Sequence, residues 1–413
     1  MRRIFIFEPE CAGSSGHALF ALKQFSNFFK KKLKVFCITS KHLNKKNFFP
    51  EAKILNIIHF NEGDFKFKNI FKFIKILFFF IYKIFIFFSL AMKKKNFLFS
   101  TLCKIKFIPR YLPDFYNLIL TKRISNNDIV FVPSGRPHIL QFLVFLFFFD
   151  KKNFPEIHFR IVHPIKYRGK KDNFYKYLEM IFKEKVINKK FFFYAENQFN
   201  KKTLEKFHNL EAVIFNGISL NQKNKKIQSN LVISFLGDSK IYKGFNKIPN
   251  LLKILQATKF SNRIKFIIQI SNFDLKIKSS ILEIKKIATK FNNISLIEGP
   301  INNNEFNKYL KNTDIMPLLH PINRAKTFGS GFIYSCVGSE IILIIPQGVE
   351  NWKNRIPGKS FLEARTVKDY AAKIQFIIKN INYYKELAKF TKKNYLKNLS
   401  KNKLIRRLMY NDY

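Results

Sequence analysis

Short apolar runs alternate along the first half of the chain with segments whose apolar residues return at helical spacing. The first run is residues 4–7; a small-residue turn follows at 13–16, and Ala18, Leu22, Phe25 and Phe29 then share one helical face. Strand, loop and helix are the expected order. Further apolar runs stand at 33–39, 53–58, 128–132, 157–162, 191–194 and 212–215, most of them separated by stretches long enough to hold helices. Near-continuous apolar strands alternating with helices predict a parallel sheet covered on both faces.

The alternation pauses at 221–230, NQKNKKIQSN, which has one apolar residue in ten and lies just after the turn pair Asn216-Gly217. Beyond it, strands are predicted at 231–236, 265–270, 294–297, 314–318 and 341–345, with 319–325 read as a loop. Ile277, Ile281, Ile284 and Ala288 mark an amphipathic helix between the second and third of these strands. From Val367 onward the chain reads as helical and basic, with a pair of helices expected to pack across the domain junction. The fold class is therefore α/β with two doubly wound, Rossmann-like domains facing across a cleft. Their bounds are 1–220, a linker at 221–230, 231–390, and a C-terminal helix at 391–413 expected to return to the first domain.

Composition changes this picture little. A chain of 413 residues, 47% hydrophobic, has enough apolar surface for two or three cores, which excludes a disordered tail or a disulfide-stapled miniprotein. The formal charge of +48 suggests a polyanion or membrane partner, but 62 of the 75 basic residues are Lys and only 13 are Arg. Phe, Ile and Asn are inflated too, and all four types have A/T-rich codons, so genome bias explains much of the charge. The four cysteines, Cys11, Cys37, Cys103 and Cys336, are widely separated and signal neither a metal site nor a disulfide framework. A reducing cytoplasm fits, and the opening residues carry too short an apolar run for a signal peptide. Residues 71–92 are strongly apolar, yet Lys72, Lys75 and Lys83 interrupt them. A helix at a membrane interface and a helix in the core are equal readings of that stretch.

Ligands of open parallel sheets bind beyond the carboxyl ends of the strands, and three loops there attract attention. The first is Gly13-Ser14-Ser15-Gly16-His17, whose small residues let an anion approach the amides at a helix start. A plain strand-to-helix turn explains that loop equally well. The second runs from Phe235 to Phe245, where Lys240 and Lys243 stand three residues apart between Gly237 and Gly244. Two lysines so placed can hold a diphosphate, although in so lysine-rich a chain their spacing alone says little. The third is Lys326 to Ile333, in which Ser330-Gly331 resembles a capped helix N-terminus able to stabilise a phosphate. An ordinary capped helix fits there as well. Together the three loops point to a phosphorylated ligand.

The residues at 231–352 resemble the C-terminal domain of a GT-B-fold glycosyltransferase of the group 1 (family 4) type. The resemblance is carried by LGDSKIYKGFNKIPNLL at 236–252, by FIIQ at 266–269, by GPINNNEFNKYLKNTDIMPLL at 299–319, by SGFI at 330–333, and more loosely by Gly348 to Trp352. The Gly-Ser-Ser-Gly-His turn is similar to the entry loop of such enzymes, and 215–218, FNGI, to their hinge. Such relatives carry Glu-x7-Glu where this chain has Thr327 and Ser335, and the Arg beside the diphosphate is replaced, if anything, by Lys240, which cannot make a bidentate fork.

What the resemblance implies is transfer of a sugar from a nucleotide-diphosphate donor to a glycan or lipid-linked acceptor in cell-surface polysaccharide synthesis, with anomeric configuration retained and without a metal or other cofactor. Lys243, aided by Lys240, is expected to stabilise the charge that develops on the diphosphate. His17 is a candidate for the base or for a hydrogen bond to either substrate. Gly16, Gly237, Ser330, Gly331 and Ser335 complete the expected donor side, with Ser15 and Glu196 as acceptor-side candidates. Arg136 and His138 read as loop residues making local hydrogen bonds. The rival readings are an inactive relative serving as a partner subunit, to which the missing carboxylate lends weight, a basic nucleic-acid binder, and a nucleotide-dependent oxidoreductase. Nucleic acid is not expected as a partner, because the lysines are dispersed and form no recognised binding motif. An oxidoreductase is disfavoured by the missing dinucleotide fingerprint. The expected location is cytoplasmic, with docking on an anionic inner-membrane surface as an added hypothesis.

Overall fold

A computed structural model describes residues 2–8, 17–30, 32–40, 53–57, 123–135, 152–161, 190–195, 212–214, 230–327 and 331–400, with isolated positions at 118–119, 139–140, 143, 147, 198, 201–202, 205, 402, 406 and 408. Two compact units divide the chain: Met1–Glu196 with Asn200–Ile214, and Asn197–Phe199 with Phe215–Tyr413. Of the stretch expected to link them, only Asn230 is among the described residues, and residues 71–92, Arg136 and His138 also lie outside them.

The strands of the first unit are β1 (Arg3–Glu8), β2 (Lys34–Ser40), β3 (Lys53–Ile57), β4 (Ile129–Gly135), β5 (Glu156–Ile161), β6 (Phe191–Ala195) and β7 (Ala212–Ile214). They form one sheet in the order β3-β2-β1-β4-β5-β6-β7, with every pairing parallel. Residues 4–8 of β1 and all of β5 are buried, as strands covered on both faces must be. The helix His17–Phe29 lays Leu22, Phe25 and Phe29 against the sheet, where Phe25 meets the Phe131 ring edge-on at 4.8 Å. Buried Cys37 is a free thiol held 3.1 Å from the Ser26 hydroxyl, and burial pushes its pKa up to about 12, which favours the thiol over the thiolate.

The second unit contributes β8 (Leu231–Phe235), β9 (Ile264–Ile270), β10 (Ile294–Glu298), β11 (Ile315–Pro317), β12 (Ile342–Pro346) and β13 (Phe361–Ala364). Their order is β10-β9-β8-β11-β12-β13, again parallel throughout. Alternation along β12 shows why the run is apolar without a break. Ile342 and Ile344 enter a core shared with the helices Ile248–Gln256, Lys278–Lys290 and Val367–Lys379, while Leu343 and Ile345 enter a second core with Tyr334, Trp352 and Tyr395. Residues of one strand thus feed layers on both sides of the sheet.

Each sheet reverses direction at its first strand: β1 lies between β2 and β4, and β8 between β9 and β11. Such reversals open a crevice beyond the carboxyl ends of the two central strands, and the loops after β8 and β11 therefore emerge side by side.

Three features differ from the sequence expectation. Residues Ile322–Thr327 form a short helix within and just beyond the expected loop, anchored by buried Ala325. Strand β13 was not expected, since Phe361–Glu363 are only half-buried at the sheet edge. The helix Ile381–Ser400 runs without interruption through residue 390, where a boundary was placed, because Tyr384, Ala388 and Tyr395 recur on one face and are buried in the second unit's cores.

Candidate functional site

The loop leaving β8 is fixed to the end of β9 before any charged group is considered. Gly237 takes φ +103°, and its amide donates to Gln269 Oε1 at 2.8 Å. Gln269, buried in β9, donates through Nε2 to the Gly299 carbonyl at 3.1 Å and to Ser271 Oγ at 3.3 Å. One amide side chain thereby joins the ends of three adjacent strands. Ser239 adds to this: its amide donates to the Ser271 carbonyl at 2.8 Å, its hydroxyl donates to the Gln269 carbonyl at 3.1 Å, and Ser239 Oγ accepts the Ser271 amide at 3.1 Å. A loop held by so many backbone bonds has a defined shape without a ligand.

Beyond Ser239 the chain makes a 3₁₀ turn, Ile241–Lys243, which Gly244 closes in the left-handed region at φ 76°. A side chain at 244 would place its Cβ 2.0 Å from the Leu319 carbonyl oxygen, so this backbone lies directly against the segment leaving β11. Lys247 reinforces the contact by donating to the same carbonyl at 3.1 Å, and partial burial lowers its pKa. The helix Ile248–Gln256 then starts with Pro249 in its first turn and buries Leu251, Leu252 and Leu255 in the core.

On this scaffold Lys240 and Lys243 are both half-buried, and each stands on a carboxylate. Lys243 Nζ is 3.2 Å from Asp238 Oδ2, and Lys240 Nζ is 3.0 Å from Asp274 Oδ1. Asn272 Nδ2 donates to Asp238 Oδ1 at 2.9 Å and steadies that carboxylate. The sequence reading assigned both lysines to a diphosphate; in the structure each one is paired with a carboxylate. Both ammonium groups are carried by the loop after β8, beyond the carboxyl end of a central strand of the second sheet.

Leaving β11, the Leu318 carbonyl accepts a hydrogen bond from the buried Tyr370 hydroxyl at 2.7 Å. Gly331 is the first residue of the helix Gly331–Gly338, as expected, whereas Ser330 lies outside the described residues. Ile333, Tyr334, Cys336 and Val337 of this helix fill the second core. Ser335 is also buried, at 3% exposure. Thr327 closes the preceding short helix. In the first unit, His17 begins its helix and only its backbone is described; Ser15, Gly16 and Glu196 lie outside the described residues.

The structure thus brings together Gly237, Lys240 and Lys243 on one loop. It adds residues that the sequence reading gave no role: Gln269, Asp238, Asp274 and Lys247. Gln269 carried a usable signal, a polar residue inside the apolar run 264–270. Among the described residues no group of His, Cys, Asp and Glu side chains could hold a metal ion, and no helix is long and apolar enough to cross a membrane.

No family model matches this chain, and no curated protein matches it. Solved structures do. TarM is 13% identical, with 100% of this chain and 98% of that chain covered and a TM-score of 0.63. A glycosyltransferase from Rickettsia africae is 12% identical, with 100% and 99% covered and a TM-score of 0.58. Anabaena HepE, solved in complex with UDP and glucose, is 9% identical, with 97% and 95% covered and a TM-score of 0.57. These neighbours are GT-B glycosyltransferases, and likeness over nearly the whole length of each, together with two wholly parallel sheets, shows that the chain has the GT-B fold.

Proposed function

We propose that this protein transfers a sugar from a nucleotide-diphosphate donor to a hydroxyl group of a glycan or lipid-linked acceptor. The observation that carries the proposal is the loop after β8, which holds Lys240 and Lys243 beyond the carboxyl ends of the central strands of a GT-B second domain. The UDP complexes of HepE support the donor class and make UDP the first nucleotide to test.

In the proposed reaction the acceptor oxygen bonds to the anomeric carbon as the bond from that carbon to the β-phosphate oxygen breaks. The nucleoside diphosphate leaves with the electron pair, and the acceptor's proton passes to a base, for which His17 is the candidate. Charge grows on the diphosphate as the bond breaks, so cations fixed beside it stabilise the transition state more than the ground state. Lys243 is assigned that role, assisted by Lys240 and by the amides at the start of Gly331–Gly338. On this reading the lysines supply the charge a divalent metal would otherwise provide. Gly16, Ser330 and Ser335 complete the proposed donor side, and Ser15 and Glu196 the acceptor side. Retention of configuration, a role in polysaccharide synthesis, and a cytoplasmic location beside an anionic membrane carrying the acceptor belong to the same proposal.

One observation favours a second reading. Ser335 occupies the place where similar enzymes carry a carboxylate and is buried, which fits a protein that binds donor without turning it over. A panel of nucleotide sugars read by ligand-detected NMR, with wild type beside Lys243→Ala, tests the donor site. Loss of about tenfold or more in affinity on removing the ammonium group is expected, and equal binding by both proteins would refute the assignment. Product formation with a lipid-linked or glycan acceptor separates the enzyme from the inactive binder.

A further inference from the structure

Away from the loop after β8, the two last helices of the second unit expose aromatic rings that serve no core. Phe376 on Val367–Lys379, and Tyr383 and Phe390 on Ile381–Ser400, are 50%, 64% and 54% exposed. They form a strip rather than scattered positions. Phe376 and Tyr383 both pack edge-on against Tyr384, at 6.2 and 5.2 Å, and Tyr383 and Phe390 are seven residues apart on the same helix face, about 10 Å along the axis. Phe390 leans on the turn at Gly358, where an added Cβ would approach its ring to 3.2 Å, which fixes the outer end of the strip.

Lysines outnumber acids around these rings, the one acid between Tyr383 and Phe390 on the helix being the exposed Glu386. Lys379, Lys389 and Lys393 are exposed beside them, and the helix Ile381–Ser400 holds five lysines against one acid, Glu386, which is paired with Lys389 at 2.6 Å. Lys385 and Lys392 turn the other way, toward Asp314 and Glu340. Aromatic rings in line on a helix surface, flanked by flexible cations, match the boundary between lipid headgroups and acyl chains. A second copy of this chain, itself carrying a formal charge of +48, would meet the face with repulsion.

We propose that the face formed by Phe376, Tyr383 and Phe390 docks this protein onto an anionic lipid bilayer. It rests on the membrane-side location proposed above and names the surface that serves it. The rings insert at headgroup depth, and the lysines neutralise anionic headgroups around them.

The test is co-sedimentation of the full chain with vesicles of phosphatidylcholine alone or mixed with phosphatidylglycerol. Wild type is expected to sediment with the mixed vesicles, less as salt is raised, and not with neutral ones. The triple variant Phe376→Ser/Tyr383→Ser/Phe390→Ser is expected to lose binding by about tenfold or more while keeping the thermal midpoint of wild type. A second set, Lys379→Gln/Lys389→Gln/Lys393→Gln, is expected to lose a similar factor and to flatten the salt dependence, and it decides alone if the ring variant does not fold. Absence of wild-type binding would refute the membrane location and this surface with it. Binding by the ring variant equal to wild type would refute the surface alone and return the role to residues 71–92. Displacement of the protein from vesicles by a single-stranded oligonucleotide, with oligonucleotide binding lost in both variants, would overturn the proposal in favour of a nucleic-acid partner.

Discussion

Lys243 Nζ lies 3.2 Å from Asp238 Oδ2, so the cation assigned to the diphosphate is held by a carboxylate of its own loop. Both side chains are partly exposed, and such a pair contributes roughly 0–1 kcal/mol to stability. Its greater effect is on the ligand, because an arriving diphosphate competes with Asp238 for the same ammonium group. Asp238→Asn should leave the unfolding midpoint close to wild type and tighten nucleoside-diphosphate binding by about two- to fivefold. Calorimetric titration with UDP at two salt concentrations checks this, and the gain should shrink as salt screens the charges. Weaker binding by the variant would mean that Asp238 orients Lys243 rather than competing for it.

Gln269 can be tested through two substitutions that separate fold from ligand. Gln269→Leu removes both the acceptor for the Gly237 amide and the donor to the Gly299 carbonyl, leaving partly buried polar groups without partners at a cost of about 1–3 kcal/mol. Gln269→Glu keeps an acceptor for Gly237, loses the donor to Gly299, and brings negative charge beside the loop. Urea unfolding should therefore rank Leu as the more damaging change. Nucleotide binding, measured well below the unfolding midpoint, should suffer under both. A Gln269→Leu protein of wild-type stability would show that the clip contributes nothing to the loop.

Three glycines at positive φ have different surroundings, which separates backbone strain from collision. Gly299, at φ 83°, has nothing within 4 Å of an added Cβ, so Gly299→Ala measures the left-handed strain alone, about 1–2 kcal/mol. Gly237, at φ 103°, has only Lys243 Nζ within reach, at 3.7 Å, and Gly237→Ala should cost a similar amount while shifting that lysine. At Gly244 the added carbon would lie 2.0 Å from a backbone oxygen, which forces the loops after β8 and β11 apart. Denaturant midpoints should fall by similar amounts for Gly299→Ala and Gly237→Ala and by clearly more for Gly244→Ala. Tolerance of alanine at 244 would break the link between the two loops.

The parts legible in the sequence are those in which burial leaves no choice of residue. Strands such as β8 and β12 are buried on both faces, so every position is apolar and the run stands out. Strand β13 lies at an edge and carries Glu363, so its pattern resembles that of a loop. Ile322–Thr327 escaped notice because Ala325 is its one residue seen to be buried and the rest reads as a polar linker. At the candidate site the lysines and glycines were visible as a local motif. Their carboxylates were less so: Asp274 meets Lys240 from 34 residues away, through a pairing that β8 and β9 create only on folding. Asp238 was in view, but spacing along a loop does not tell which lysine it will hold. The buried state of Ser335 likewise follows from the packing of Gly331–Gly338, not from its neighbours in sequence.

The helix Val367–Lys379 carries the last prediction, because it ties acidity to the segment beside the candidate site. Thr366 Oγ1 accepts the Asp369 amide at 3.1 Å, and Asp369 Oδ2 accepts the Thr366 amide at 2.9 Å, a reciprocal capping box. One residue on, Tyr370 is buried and donates its hydroxyl to the Leu318 carbonyl, so the first turn of this helix supports the end of β11. The bond from the Thr366 amide, with a further one from Arg365, holds the Asp369 carboxyl below its ordinary value. A carboxyl with a depressed folded-state pKa adds stability that is fully present above its unfolded pKa and is lost as pH falls through the folded one. The difference in thermal midpoint between wild type and Asp369→Asn should thus be constant at neutral pH, begin to close near pH ~4, and vanish below it. Thr366→Ala should cost about 0.5–2 kcal/mol at neutral pH, since it leaves the Asp369 amide without its cap. Thermal unfolding of the three proteins across that range measures both effects, and a gap between wild type and Asp369→Asn that persists undiminished in strong acid would show that the carboxylate is not what holds the cap.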